Sequence, residues 1–198
     1  MSRHRPSEAH DGDGTSPAHR KSAARAVLEA VVPAIAIVVL ARVFLVGLYR
    51  VPTGSMVSTI QTGDCILGER VSHRNRQPRQ GEVVTFESPE EPGVTLVKRV
   101  IATEGQTIDI RDGRVLVDGC QFDEPYVQGG RTDSQAPDED GTAAITYPHV
   151  VAEGCLWMMG DNRADSRDSR LFGDVPASSV SSRVLFAYWP PERIGPVR

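Results

Sequence analysis

The chain has 198 residues, a formal net charge of −4, 39% hydrophobic but only 6% aromatic residues, and 18 Gly and 14 Pro. Once a tail and an apolar run are set aside, that length suits one domain or two small subdomains, and the Gly and Pro content favours turns and short strands over long helices. Residues 50–198 carry 16 basic against 22 acidic side chains, which argues against nucleic acid as a partner.

Residues 1–26 hold five basic side chains among Gly, Ser and His and read as a disordered tail. Residues 27–49, VLEAVVPAIAIVVLARVFLVGLY, would rise about 34 Å as a helix, enough for a bilayer core of ~30 Å. Glu29 and Arg42 lie towards the two ends, where they can reach the interface, and Pro33 is tolerated as a kink. A cleaved secretory signal is the competing reading. The apolar core exceeds the usual ~7–15 residues, and no small-x-small site follows it. The basic tail places the N-terminus in the cytoplasm and residues 50–198 outside the plasma membrane, behind a single-pass anchor.

Directly after the span comes Val51-Pro52-Thr53-Gly54-Ser55-Met56. Such a turn can present a hydroxyl, with the Ser55 N–H and the Thr53 hydroxyl as donors for an oxyanion. By itself the segment reads as a plain turn beside a membrane. Residues 81–86 (GEVVTF) and 94–102 (VTLVKRVIA) read as strands. Lys98, inside the second, is the only lysine after the span, where the other fifteen basic residues are arginines. An apolar site disfavours the ammonium and lowers its pKa, and a neutral amine can act as a general base. The competing reading is a lysine on a strand's solvent face; alternation sets Leu96, Lys98 and Val100 on one side, which weakens it.

Residues 107–111 and 114–117 flank Asp112-Gly113, the signal of a two-residue hairpin. Ile108 and Ile110 should meet Val115 and Val117. Residues 128–142 (QGGRTDSQAPDEDGT) read as an exposed, variable loop. Residues 155–159 and 183–189 read as strands, and residues 177–182 hint at a helical turn. The fold class is therefore mostly β: an antiparallel sheet domain with long hairpins, preceded by one transmembrane helix. Cys65, Cys120 and Cys155 are odd in number and lack metal-ligand spacing, so neither a disulfide framework nor a metal site is expected. Three buried or half-buried thiols are.

Residues 160–170 read GDNRADSRDSR. With Pro52–Met56, Gly63-Asp64 and Lys98-Arg99-Val100 they form four motifs in order behind an apolar span. In this the chain resembles the type I signal peptidases, membrane-anchored serine–lysine endopeptidases that remove signal peptides from exported proteins. The resemblance runs from about residue 27 to residue 190. It implies Ser55 as nucleophile, Lys98 as general base, Ser166 orienting the lysine amine, and Thr53 as an oxyanion donor. Asp168 and Arg170 would brace the site. A bare carboxylate beside Lys98 would raise its pKa, so Asp168 should be neutralised by Arg170. Metal coordination by Asp161, Asp165 and Asp168 is disfavoured by the arginines among them.

The resemblance further implies a substrate lying extended along the strand that leads into Lys98, lined by Leu96 and Val97 with Val51 and Met56 nearby. Small side chains would fill the first and third positions before the cut. Partners would be preprotein signal peptides, the lipid bilayer and the secretory translocon; no cofactor is needed. Two departures stand out. Ser58 replaces a usual proline, and Ala102-Thr103-Glu104-Gly105-Gln106 replaces a proline-containing turn. Loss of proline loosens turns without deleting catalytic groups. Rival readings are a self-cleaving repressor peptidase, disfavoured because a span replaces its DNA-binding module, and a catalytically silent membrane-anchored paralogue that binds exported chains.

Overall fold

The computed structural model describes residues 17–72, 76–127, 129, 131–134 and 145–198. The chain divides into two units, residues 1–41 and 42–198. The first is dominated by helix α1 (Pro17–Phe44), which contains Pro33 and carries Arg42 in its last turn. Its most apolar stretch lies within Ala24–Arg42, where the mean hydropathy reaches 2.2 over 18 residues, long and apolar enough to cross a membrane. Glu29 accepts from Arg25 at 2.8 Å one turn away, which partly neutralises the acid within the apolar run.

Here the structure differs from the sequence reading at both ends. Residues 17–26, expected as disordered tail, are helical; residues 1–16 lie outside the described residues. Helix also stops at Phe44, five residues before the expected end. The next apolar residues form a strand, β1 (Val46–Arg50), paired with β2 (Cys65–Glu69) in antiparallel register. Hydrophobicity continues unbroken across this boundary, so the sequence profile could not locate it. Gly47 leaves room in that strand for the Tyr49 ring, because a Cβ on it would lie 2.5 Å from the ring.

Among the described residues the second unit is mostly β, with long connecting loops. After β1 and β2 come β3 (Val83–Glu87), β4 (Thr95–Thr103), β5 (Thr107–Arg111), β6 (Arg114–Val117), β7 (Cys120–Gln121), β8 (His149–Val150) and β9 (Cys155–Met159). A four-residue helix α2 (Ser169–Phe172) follows, then β10 (Val175–Pro176), β11 (Val180–Trp189) and β12 (Gly195–Pro196). The large sheet runs β1-β2-β11-β3-β4-β9-β10 with β12 on β11; the small one runs β7-β6-β5-β8. Every pairing among the described strands is antiparallel.

The hairpin pairs Ile108 with Val117 and Ile110 with Val115, the partners alternation called for. Asp112 and Gly113 take φ 51° and 78°, the left-handed pair a two-residue turn demands. Residues 177–182 fall short of the helical turn expected. Only Ala177–Ser179 is a 3-10 turn, and Val180 already pairs with Phe86 as β11 begins. Of the loop at 128–142, residues 128, 130 and 135–142 lie outside the described residues. Thr132 is not exposed: it is 1% accessible, and its N–H donates to Gly113 O at 2.7 Å. The three cysteines are free thiols, Cys65 and Cys155 half-buried but Cys120 exposed, which corrects the expectation of burial for the last.

Three apolar clusters hold this unit together. One, around Trp157, Ile101, Ile108 and Val117, joins the two sheets. Another packs Val51, Met56 and Ile60 onto Ile66, Val83 and Val184. The third gathers Val84, Phe86, Val100, Met158 and Val180. Register shifts in β4 against β9 and along β11 mark bulges, which increase twist and bend strands.

Gly113→Ala should lower stability by about 1–2 kcal/mol, because a side chain is strained at positive φ and its Cβ would lie 2.6 Å from Arg131 Cγ. The midpoint of urea denaturation of the wild type and variant measures this.

Candidate active site

Ser55 sits on a loop closed at its base. Val51 N–H donates to Asp64 O at 2.9 Å, and Gly63 N–H returns to Val51 O at 2.8 Å. Inside, Val57 N–H donates to Gly54 O and Ile60 N–H to Met56 O, at 3.1 and 2.9 Å. Val51, Met56 and Ile60 are buried, so the loop is anchored by its apolar side chains. Ser55 is half-buried and Thr53 exposed.

Lys98 lies in β4 opposite Val84 and is 3% accessible. Burial pushes its amine down to about 8; nearby Asp168 pulls it up, while Arg170 pushes it down. Ser55 and Lys98 line one cleft of about 410 Å³, together with Thr53, Val51, Met56, Leu96 and Val97. All the sequence-derived substrate-contact candidates thus border the same space. Strand β1 supplies another wall through Leu48, Tyr49 and Arg50. Three strands separate β1 from β4 in the sheet order, about 19 Å across at ~4.8 Å per strand in a flat sheet; only a curled sheet lets both border one cleft. Pairing of β4 with β9 starts at Arg99. Among the described strands, the Thr95 to Lys98 stretch is therefore paired on its β3 side alone.

The glycine-led segment 160–170 packs against this loop. A Cβ on Gly160 would lie 2.2 Å from Ser166 Oγ and 2.5 Å from Ser55 O, so the close approach requires glycine. Asn162 donates its N–H to Ser55 O at 3.0 Å and its Nδ2 to Gly54 O at 3.1 Å. Asp168 is fully buried. Its carboxylate takes both Arg170 Nε and Nη2 at 2.9 Å, plus Gly160 N–H at 3.0 Å, and accepts from Arg170 N–H as the N-cap of α2. Burial would raise the Asp168 pKa, but the Arg170 guanidinium, the Gly160 N–H and the Ser166 hydroxyl hold it below the usual carboxylate range. Ser166 is itself buried.

Several contributors escaped the sequence reading. Arg99 forms a second buried bidentate pair, with Asp161 at 2.9 and 2.7 Å, and donates to Gly81 O and Thr59 Oγ1. Its guanidinium lies 3.8 Å above the Tyr126 ring. Arg163 donates to Gly160 O at 2.9 Å and pairs with Glu124. Asp64 is buried and takes Arg193 at 2.6 Å. Arg99, Asp161, Arg163 and Asp64 all lay within the quoted motifs. Nothing local signalled which partner each of them would take. Asp161 and Asp168, considered above for a metal, each hold a guanidinium instead.

Both departures have local substitutes. Ser58 Oγ donates to Tyr126 O at 2.8 Å, tying the loop to the segment after β7. In the turn after β4, Gln106 Oε1 accepts from Thr103 N–H at 2.9 Å and Thr103 Oγ1 at 3.1 Å, while its Nε2 donates to Asp118 at 3.0 Å. These bonds restrain a turn that lacks prolines.

Residues 24–189 match the sequence profile described as signal peptidase, peptidase S26. The chain is 31% identical over 169 residues to a probable signal peptidase I-1 of Synechocystis, covering 82% of this chain and 81% of that one. It is 30% identical over 161 residues to a signal peptidase I of Leptolyngbya laminosa, covering 78% and 74%. A crystal structure of a signal peptidase I from Enterococcus faecalis superimposes with TM-score 0.45 at 27% identity, covering 55% of this chain and 97% of that one.

Arg170→Gln should destabilise the protein by about 3–5 kcal/mol, because it leaves the Asp168 carboxylate buried without its cation. Thermal and denaturant unfolding of this variant against the wild type reads the loss directly.

Proposed function

This chain belongs to the peptidase S26 family of signal peptidases, and we propose that it is a membrane-anchored serine endopeptidase that removes signal peptides from exported preproteins through a Ser55–Lys98 dyad. The observation that carries this reading is the shared cleft, in which the Ser55 loop meets a buried lysine whose amine is pushed down to about 8.

In the proposed reaction Lys98 Nζ, uncharged, takes the proton from Ser55 Oγ as that oxygen attacks the scissile carbonyl carbon. The tetrahedral oxyanion accepts hydrogen bonds from the Ser55 N–H and the Thr53 hydroxyl. The carbon–nitrogen bond then breaks, and the protonated amine of Lys98 gives its proton to the leaving nitrogen. A water molecule, deprotonated by the same lysine, hydrolyses the Ser55 ester and regenerates the hydroxyl. Ser166 orients the lysine. Arg170 neutralises Asp168, so that this carboxylate does not hold Lys98 in its charged form. The steps require no metal or nucleotide.

The substrate lies extended against the half-paired stretch of β4 and adds to it by backbone hydrogen bonds. Leu96, Val97, Val51 and Met56 contact its small side chains. The basic tail keeps the N-terminus in the cytoplasm and the β unit outside. That unit exposes Leu48, Tyr188, Trp189 and Ile194, side chains suited to a lipid surface. Cleavage next to the bilayer suits precursors delivered by the secretory translocon with their apolar segment still in lipid.

Purified protein in detergent should cut a signal-bearing precursor at one bond, identified by sequencing the new N-terminus. Ser55→Ala and Lys98→Ala should each reduce the rate on the order of a thousandfold or more. Precursor that is bound but never cut would support a silent binding protein instead. A base with pKa near 8 is only about one-tenth neutral at pH 7. Activity should therefore rise roughly tenfold from pH 7 to a plateau above pH 9, because only the deprotonated amine works. A rate that falls over that interval would remove Lys98 from the role of base.

A further inference from the structure

Residues 190–198 lie beyond the matched stretch 24–189, and none of them lines the cleft. Yet this segment reaches the Ser55 loop and its supports at three places. At the base of the loop, Arg193 donates Nε to Asp64 Oδ1 at 2.8 Å and approaches it with Nη2 at 2.6 Å. The other Asp64 oxygen accepts Gln61 N–H at 2.8 Å, and the Asp64 carbonyl accepts Val51 N–H. Asp64 is 2% accessible, so Arg193 is its cation from outside the loop.

On the apolar side, Val197 packs against the cluster that contains Val51, Met56 and Ile60. Its N–H donates to Leu185 O at 3.0 Å, and Gly195–Pro196 pair with β11. The third contact is indirect. Arg198 O accepts from Arg99 Nη2 at 3.1 Å, and the same guanidinium nitrogen donates to Thr59 Oγ1 in the loop and to Asp161. A segment tied to β11 by strand pairing thus holds the loop at its neck, at its buried face and through Arg99.

We propose that residues 190–198 form a strap that positions the Ser55 loop, with Arg193 and Val197 as its positioning residues. The proposal rests on the peptidase reading for its catalytic consequence. None of its residues lines the cleft that holds Lys98. Loosening it shifts Ser55 relative to the base, together with Val51 and Met56 on the same loop, and leaves the β3–β4 pairing that carries Lys98 intact. Misplacement of a reacting group by about 1 Å can cost on the order of a hundredfold in rate.

The test uses the full chain in detergent with Arg193→Ala, Arg193→Lys and Val197→Ala. Amide hydrogen exchange should accelerate at Val57 and Ile60, whose N–H groups bond within the loop, in the two alanine variants and not in β4 or β9. Their kcat should fall about ten- to hundredfold, with a smaller rise in KM because Val51 and Met56 move with the loop. The midpoint of the pH–rate profile should stay in place, because Lys98 is untouched. Arg193→Lys, which keeps a cation for Asp64, should recover most of the rate. Unchanged exchange at Val57 and Ile60 would overturn the proposal, as would accelerated exchange spread evenly over the β unit, which marks general destabilisation. If the wild type cuts no precursor, the peptidase reading fails by itself, and the exchange pattern alone decides whether the strap exists.

Discussion

The burial of a single amine next to a carboxylate imposes the main constraint on this molecule. Lys98 can sit out of water in uncharged form only if the charges around it are satisfied by one another. The Arg170 guanidinium meets both oxygens of Asp168, and the backbone N–H of Gly160 adds a further donor. A second pair, Arg99 with Asp161, repeats the device on the neighbouring residue of β4. Arginine suits this task because its planar fork stays protonated and matches a carboxylate in two bonds. Lysine suits the other position for the opposite reason: it can give up its proton when desolvated.

The Ser55 loop depends on the same network. It has one backbone bond per turn inside it and would not hold its shape in isolation. Its order is supplied from outside: by Asn162 on the carbonyls of Gly54 and Ser55, by the missing side chain of Gly160, and by three buried apolar side chains that plug a core cluster. Arg99 then links the loop through Thr59 to the segment that also carries Ser166 and Asp168. The support of the Ser55 loop and the charged shell around Lys98 are therefore parts of one connected hydrogen-bonded structure. Such networks are valuable only when every member is paired.

The two departures from the family's pattern show how local rigidity is reached by different means. Proline restrains a turn by removing backbone freedom from the unfolded chain. Ser58 and Gln106 act in the folded state instead, one by a hydroxyl bonded to Tyr126 O and the other by a side-chain amide that spans its own turn and reaches Asp118. Both substitutes lie on the side of the domain where β5 to β7 and the following segment pack. Ser58 makes the position of the segment after β7 matter to the loop, whereas Gln106 acts on its own turn.

Sequence alone determined what is local. The two-residue turn at Asp112-Gly113 and the partners across it follow from backbone chemistry and a period of two. The apolar span follows from composition, and the Ser, Lys and Asp/Arg groups follow from short motifs that can be read in a row. Where an apolar helix stops and an apolar strand begins was not legible, because hydrophobicity is the same on both sides of Leu45 and only the hydrogen bonds of β1 with β2 separate them. Nor could pattern pick out Arg99 for Asp161, Arg193 for Asp64 or Thr132 for Arg163. The chain has twenty arginines, any carboxylate is chemically acceptable to each, and the contacts exist only after loops of up to 129 residues have closed. Tertiary structure made that choice, because the curl of the sheet and the packing of its clusters decide which side chains leave water together, and a buried charge must take the partner it finds there.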